Sequence, residues 1–351
     1  MLQPYFQPSF ITSDMLIGIW VVCSVNIVWH LEQFMSQMPT SFSFINVLPF
    51  VYGKIITHGK DNMQIQTAKH LGTFDSSQPE WHELRKGKVG GSLVGTIAGL
   101  NKWESPYTAW AKFSGHIPDQ IPDSPPMEWG RRLEGVVLDK FADEHPELTI
   151  QRDVGTWQSL EHSFQIANVD GLAQETDGTL SVVEIKTAKY PDDWADGVPD
   201  YYLTQVQWYM STLGLKKAYV AVLIGGSDYR EFEVKADVFQ QSADMMMVEQ
   251  FLECVDENTA PDWDGSTSTY ESVRRMNPNI QDSQVELGDV GIALGTALEA
   301  ESKAKAVALA LKSEVIDTMG NAKRGMVNGQ HMFSRQSRGS GTPFLVTKKG
   351  N

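Results

Sequence analysis

Three residues in the middle of the chain, Asp170, Glu184 and Lys186, have types and spacing that could do chemistry together. Glu184 and Lys186 stand in "VVEIKTA" (182–188), where they interrupt a run of strand-forming residues. Charges two apart on a strand point to the same face. The segment Thr176-Asp177-Gly178 reads as a three-residue hairpin loop with Gly178 in the left-handed region. That loop sets residue 175 opposite 179 and brings Asp170 opposite Glu184. Directly opposed residues have Cβ atoms about 4.5–5.5 Å apart, so two carboxylates there repel unless a cation sits between them. Hard carboxylate oxygens suit Mg²⁺, which keeps several waters and accepts phosphate oxygens as further ligands. A lysine ammonium alongside can position or deprotonate a water and offset charge developing on a phosphate. The bland alternative is an exposed strand with its charges turned outward, and a two-residue loop would shift the register and part the pair.

The elements that must position this face read as an α/β domain with a mixed sheet. Before it, the sequence predicts helices over 80–87, from Ser92 as an N-cap, over 105–115 ending at Gly115, and over 127–146. In the last of these, Leu133, Val136, Val137 and Phe141 have core spacing, and Pro146 stops the helix. The four prolines of 117–126 mark a loop. Strands follow over 150–155, 163–168, 171–175 and 180–187. A helix over 201–214 closes at Gly214. A buried strand (217–226), a half-exposed partner (230–235) and a helix (236–257) complete the domain. Residues 63–260 form the predicted domain and 261–285 a linker.

The 351-residue chain carries 41% hydrophobic and 21% charged residues, ordinary for a globular protein. Its net charge of −15 argues against a generally basic nucleic-acid binder, but permits a local basic strip. Cys23 and Cys254 lie far apart without a CxxC, which excludes a zinc or iron–sulfur framework and suits a reducing cytoplasm. Residues 1–62 read as an uncertain extension. Its apolar run 15–29 is short for a membrane span, and no Lys or Arg precedes it as in a signal peptide. Translation from an upstream start with Met63 opening the functional protein, a weak anchor and a buried helix all stay open.

Residues 286–317 read as an amphipathic helix, with small or apolar residues at 287, 290, 294, 297, 304, 308, 311 and 315. It packs on its own chain or on a twin. The tail 318–351 contains Lys323, Arg324, Arg335, Arg338, Lys348 and Lys349 and no acid. A solvated tail and a DNA-touching one are both open. Trp103, Trp110, Trp129 and Trp208 could stack on unpaired bases, although helical spacing favours core for Trp110 and Trp129. His82, His116, His145 and His162 are scattered without ligand spacing.

Asp170-Gly171-Leu172 followed by Glu184-Ile185-Lys186 resembles the PD-(D/E)xK nuclease motif, with Val169 where that motif's name has proline. The blocks "WHELRKGKVGGS" (81–92), "WGRRLE" (129–134), "NVDGL" (168–172), "VEIKT" (183–187) and "YLTQVQWYM" (202–210) occur in the order seen in lambda-exonuclease-like, YqaJ-type phage recombination nucleases. The resemblance implies a restriction-endonuclease-like core, a central mixed sheet flanked by helices. It implies a Mg²⁺-dependent exonuclease, with Mn²⁺ as substitute, acting on linear double-stranded DNA in the 5′→3′ sense. The 3′ single strand left behind would serve a single-strand annealing partner, in a bacterial host cytoplasm and from a homo-oligomer, a trimer in lambda exonuclease. On matching positions, Asp170, Glu184 and the carbonyl of Ile185 would bind the metal, with Glu134 an additional carboxylate nearby. Lys186 would orient the attacking water, and Gln205 would contact that water or the scissile phosphate. Arg85 and Ser92 match a pair that grips the 5′-phosphate, and a guanidinium fork with a helix N-terminus suits that anion. Read without the resemblance, Glu134 and Arg85 are surface helix charges, Ser92 a plain N-cap, and Gln205 part of a helix surface. The rivals are a structure-specific endonuclease on the same core and a catalytically silent DNA-binding or assembly module; a membrane-tethered protein using 15–29 is a third.

Overall fold

Gly178 adopts φ +86°, and the three-residue loop it closes is pinned by Glu175 N–H donating to Thr179 O at 2.8 Å. The strands on either side pair antiparallel with Gly171 opposite Val183 and Gln174 opposite Leu180. One further step of this register sets Asp170 opposite Glu184. The predicted turn geometry therefore holds, and with it the alignment of the two carboxylates.

The computed structural model describes residues 56–57, 63–74, 78–119 and 124–347. The readings made on the apolar run 15–29, and on nearly all of 1–62, lie outside the described residues, as do Lys348 and Lys349. The first unit, up to Pro278, begins with β1 (Ile56–Thr57), β2 (Met63–Gln64), β3 (Ala68–Gly72), α1 (Pro79–Arg85), β4 (Val89–Gly90) and α2 (Gly91–Ile97). It continues through α3 (Pro106–Phe113), α4 (Pro125–Glu144), β5 (Thr149–Gln151), β6 (Thr156–Ser159), β7 (Gln165–Asn168), β8 (Gly171–Gln174) and β9 (Leu180–Ala188). Then come α5 (Asp200–Leu213), β10 (Lys217–Ile224), β11 (Asp228–Lys235), α6 (Val238–Asp256) and α7 (Thr267–Met276). A second unit, from Asn279, holds α8 (Gly288–Met319), β12 (Arg324–Val327), β13 (Gln330–Gln336) and β14 (Phe344–Thr347).

Five strands form the main sheet in the order β11-β10-β9-β8-β5, with β9 and β10 parallel and the other pairs antiparallel. Helix α4 packs on β9 and β10 through Val137, Leu138 and Phe141. Helix α5 contacts the same two strands and belongs to the larger core cluster with Val182, Val220 and Val222. Helices thus flank a central mixed sheet, the arrangement expected of a restriction-endonuclease-like core. Burial of six successive residues in β9, Leu180 to Ile185, explains its near-continuous apolar run.

Several details differ from the sequence reading. The strand predicted over 150–155 ends at Gln151, because Asp153 (φ 54°) and Gly155 (φ 71°) turn the chain into a separate strand, β6. That strand belongs to a second sheet, β3-β6-β7-β4, which the periodicity did not suggest. In α4, Val136 and Trp129 are exposed at 58% and 59%, so neither is core; Leu138 takes the buried place, and Leu133 is half-buried. Within 261–285, read as a linker, α7 folds against α3. Its fully buried residues are polar, with Val273 and Met276 packed only at the margin: Thr108 Oγ1 meets Ser268 Oγ at 2.6 Å and Ser272 Oγ at 2.8 Å, and Thr269 Oγ1 donates to Ser105 Oγ at 2.7 Å. A helix docked mainly through hydroxyls leaves little apolar periodicity to read. The tail read from 318 forms the three-stranded sheet β12-β13-β14.

Candidate active site

Strand β9 delivers Glu184 and Lys186 to the face toward which α5 projects Gln205. Glu184 is only 2% exposed. Its Oε1 accepts from the Lys186 ammonium and, at 2.6 Å, from Gln205 Nε2. Its Oε2 is buried and has no hydrogen-bond partner. Asp170 Oδ2 accepts from the Ile185 amide at 2.8 Å, so the carboxylate at the start of β8 grips the strand it faces. Gln205 Nε2 also donates to Tyr209 Oη at 3.0 Å, and the Lys186 ammonium lies 4.8 Å from the Tyr202 ring centroid.

The electrostatics follow from burial. Desolvation, then the neighbouring Asp170, push the Glu184 carboxyl up to about 8, against the pull of Lys186. Asp170 is likewise raised by burial, opposed by Lys186 and the Ile185 amide. Burial alone would lower Lys186, but Glu184 and Asp170 outweigh it and hold the ammonium above its usual range. The site carries two costly carboxyls and one cation, with a buried oxygen left over. A divalent cation at Glu184 Oε2 and Asp170 fits that deficit. Among the described residues no group of three His, Cys, Asp or Glu side chains is arranged to hold a metal, and the two opposed carboxyls are Asp170 and Glu184. That suits an ion that keeps much of its water.

Lys186 opens onto a cleft of about 1230 Å³, whose lining also includes Ile185, Glu134, Trp103, Tyr190 and Tyr202 but neither Glu184 nor Asp170. Glu134 thus reaches the cleft from α4, and its charge contributes to raising Glu184. Trp103 is exposed beside Lys102, whose ammonium lies 4.9 Å from its ring centroid. Trp208, in contrast, is core: its Nε1 donates to Val89 O and Ile166 O, each at 3.2 Å. It ties α5 to both strands of the parallel pair β4–β7. Trp110 is core as expected.

Arg85 comes to the edge of this arrangement through glycine. A Cβ on Gly90 would lie 2.9 Å from Arg85 Nη2, and one on Gly91 would lie 2.8 Å from Gln205 O. The Arg85 guanidinium also lies over the Trp81 ring at 4.4 Å. Burial lowers its pKa, opposed by Tyr209 and Asp119, so it shares the field of the Gln205–Tyr209 pair. Ser92 is exposed in the first turn of α2, but the N-cap is Gly90 and carries no side-chain cap, so the predicted capping role is incorrect. The scattered histidines stay away from this site; His145, for one, bonds Glu231 at 2.7 Å.

The structure therefore gathers Asp170, Glu184, Ile185, Lys186, Gln205 and Glu134, with Arg85 beside them through Gly90 and Gly91. Sequence reasoning missed Tyr202 and Tyr209. Their signal was helical spacing, three before and four after Gln205, which puts all three on one face of α5.

Residues 80–216 match the family described as YqaJ-like viral recombinase domain. The chain is 31% identical over 209 residues to the uncharacterized protein YqaJ of Bacillus subtilis (strain 168), covering 57% of this chain and 64% of that one. It thus spans less than two thirds of that relative's length. Among solved structures it is similar to an alkaline exonuclease from Laribacter hongkongensis (TM-score 0.44, 20% identity, 52% of this chain and 94% of that one). It is also similar to a phage related exonuclease from Haemophilus somnus 129PT (TM-score 0.38, 12% identity, 48% of this chain and 94% of that one). Every residue of the gathered site falls inside the segment that matches the YqaJ-like viral recombinase domain.

Proposed function

We propose that the protein is a metal-dependent DNA exonuclease of a phage or prophage recombination system. It hydrolyses phosphodiester bonds of linear double-stranded DNA from the 5′ end, and the 3′ single strand it leaves serves an annealing protein. The observation that carries this reading is the buried pair Asp170–Glu184, with Lys186 on the same face and one carboxylate oxygen unpartnered, inside the YqaJ-like segment.

Asp170, Glu184 and the Ile185 carbonyl would hold Mg²⁺ or Mn²⁺, with Glu134 as a further carboxylate at the cleft. When bound, the ion supplies Lewis acidity toward a phosphate oxygen and a more acidic water. Lys186, held charged by its two carboxylate neighbours, orients the attacking water and offsets charge on the phosphate. Gln205 is fixed between Glu184 and Tyr209, so its amide has one orientation available to contact the water or scissile phosphate. Arg85, with the backbone near Ser92, receives the terminal 5′-phosphate. Water attacks phosphorus, the bond to the leaving oxygen breaks, and a 5′-mononucleotide departs.

The test is digestion of linear duplexes labelled at either end in Mg²⁺, with a closed circle as control. Loss from 5′ ends alone supports the proposal. Cutting of the circle would make the protein an endonuclease, and no cutting would make it a binding module.

A further inference from the structure

The second unit carries a charge arrangement opposite to that of the active site. Residues 318–351 include six lysines and arginines and no Asp or Glu, in a chain whose net charge is −15. The small sheet concentrates part of this charge. Arg335 N–H donates to Lys323 O at 2.9 Å, and Arg324 pairs with Ser334, so the register sets Lys323 directly opposite Arg335. Like charges directly opposed across strands destabilise a sheet unless an anion lies between them. Neither residue has an ion-pair partner among the described residues, and Arg335 Nε is buried with no hydrogen-bond partner.

The opposite face adds to the positive surface. Arg324 and Ser334 share a row with Val346, and Gln336 shares one with Phe344. Arg338 lies over the Phe344 ring at 5.5 Å, so two guanidinium groups stand on this side, with the exposed Gln336 amide between. On the face of Lys323 and Arg335 helix α8 reaches Gly325, with Met319 Sδ 3.1 Å from where a Cβ on Gly325 would sit. Arg324, Lys323 and Arg338 are exposed. Cations spread over both faces of a narrow sheet, without acids to pair them, match a repeating line of negative charge better than a single small anion.

We propose that the β12-β13-β14 sheet is a second DNA-contact site, which binds the phosphodiester backbone without reading sequence. It rests on DNA being the substrate, and adds a hold on the polymer made by a unit that contains none of the catalytic residues. Backbone contacts position and retain nucleic acid and carry no sequence information.

The test uses full-length protein in chelator, so that nothing is cleaved, and measures binding to a closed circular duplex and to an oligonucleotide single strand as salt is varied. The triple variant Lys323→Ala/Arg324→Ala/Arg338→Ala should reduce the duplex log–log salt slope by up to about 2.7, at roughly 0.9 per lost phosphate contact. The charge-keeping variant Lys323→Arg/Arg324→Lys/Arg338→Lys should bind like wild type, which separates lost charge from a misfolded sheet. An unchanged slope in the alanine variant overturns the proposal. So does loss in both variants, which would mark a structural role. The nuclease reading is judged separately: its failure is absence of cutting in Mg²⁺, whatever these slopes show.

Discussion

Gly91 offers a perturbation that leaves every proposed chemical group in place. It is the first residue of α2, packed against α5 where Gln205 and Tyr209 face the site. A methyl group there would lie 2.7 Å from Tyr209 Cε1, 2.8 Å from Gln205 O and 3.0 Å from Gln205 Cγ. Ordinary carbon contacts are about 3.5–4.0 Å, and the Gln205 carbonyl is helix backbone that cannot rotate away. The two helices must therefore part by roughly 0.7–1 Å, or the Tyr209 ring must move and release Gln205. Overpacking of this kind costs about 1–3 kcal/mol, and misplacement near 1 Å at a reacting centre costs on the order of 10²-fold in rate. Gly91→Ala should thus melt about 2–12 °C lower than wild type. It should digest linear duplex about 10²-fold more slowly, with the carboxylates and lysine intact. Gly135→Ala in α4 is the control, since a Cβ there meets nothing within 4 Å and alanine is the better helix former. Wild-type melting and rate in Gly91→Ala would refute the claim that close approach of α2 to α5 sets the site.

Two further outcomes follow from the same geometry. Arg85→Ala should shrink the advantage of 5′-phosphorylated over 5′-hydroxyl ends by about 10–100-fold, the worth of a charge-assisted contact; an unchanged ratio would remove Arg85 from the end-binding role. Asp244 is buried with Oδ2 unpartnered and only Gln240 Nε2 on Oδ1, and burial pushes its carboxyl up to about 7. Because the folded state holds this proton more tightly than the unfolded chain, the stability it gives is present below about pH 4 and is lost as pH rises to 7. Asp244→Asn should therefore stabilise the fold by up to about 4 kcal/mol at pH 8 and little at pH 4. Melting curves whose difference does not grow over that window would contradict it.

What the sequence disclosed depended on whether the determinant was local. The Asp170–Glu184 pairing was legible because one glycine-closed loop fixes the register of a whole hairpin, and a register slip would have turned every side chain over. The order of core elements was legible for the same reason, since apolar runs and turn residues mark them. Helix α7 was hidden because it docks mainly through serine and threonine hydroxyls. Strand β6 was hidden because two left-handed residues separate it from β5 by only four positions. Val136 and Trp129 looked like core by spacing, but the buried stripe of α4 is narrow and runs through Val137, Leu138 and Phe141. In the site, residues that carry charge were found by type, whereas Tyr202 and Tyr209 act through position on α5 and needed the packed structure to be seen.

The central claim is that the opposed carboxylates beside Lys186 form a metal-dependent phosphodiesterase centre. It is tested most directly by Asp170→Asn, which keeps the side-chain shape and the oxygen that accepts from the Ile185 amide. Its Mg²⁺-dependent rate on a 5′-phosphorylated linear duplex, measured beside wild type and a chelator control, should fall at least 10³-fold while the melting temperature is kept or raised. Digestion at the wild-type rate by this folded variant, or by wild type in excess chelator, would contradict the account.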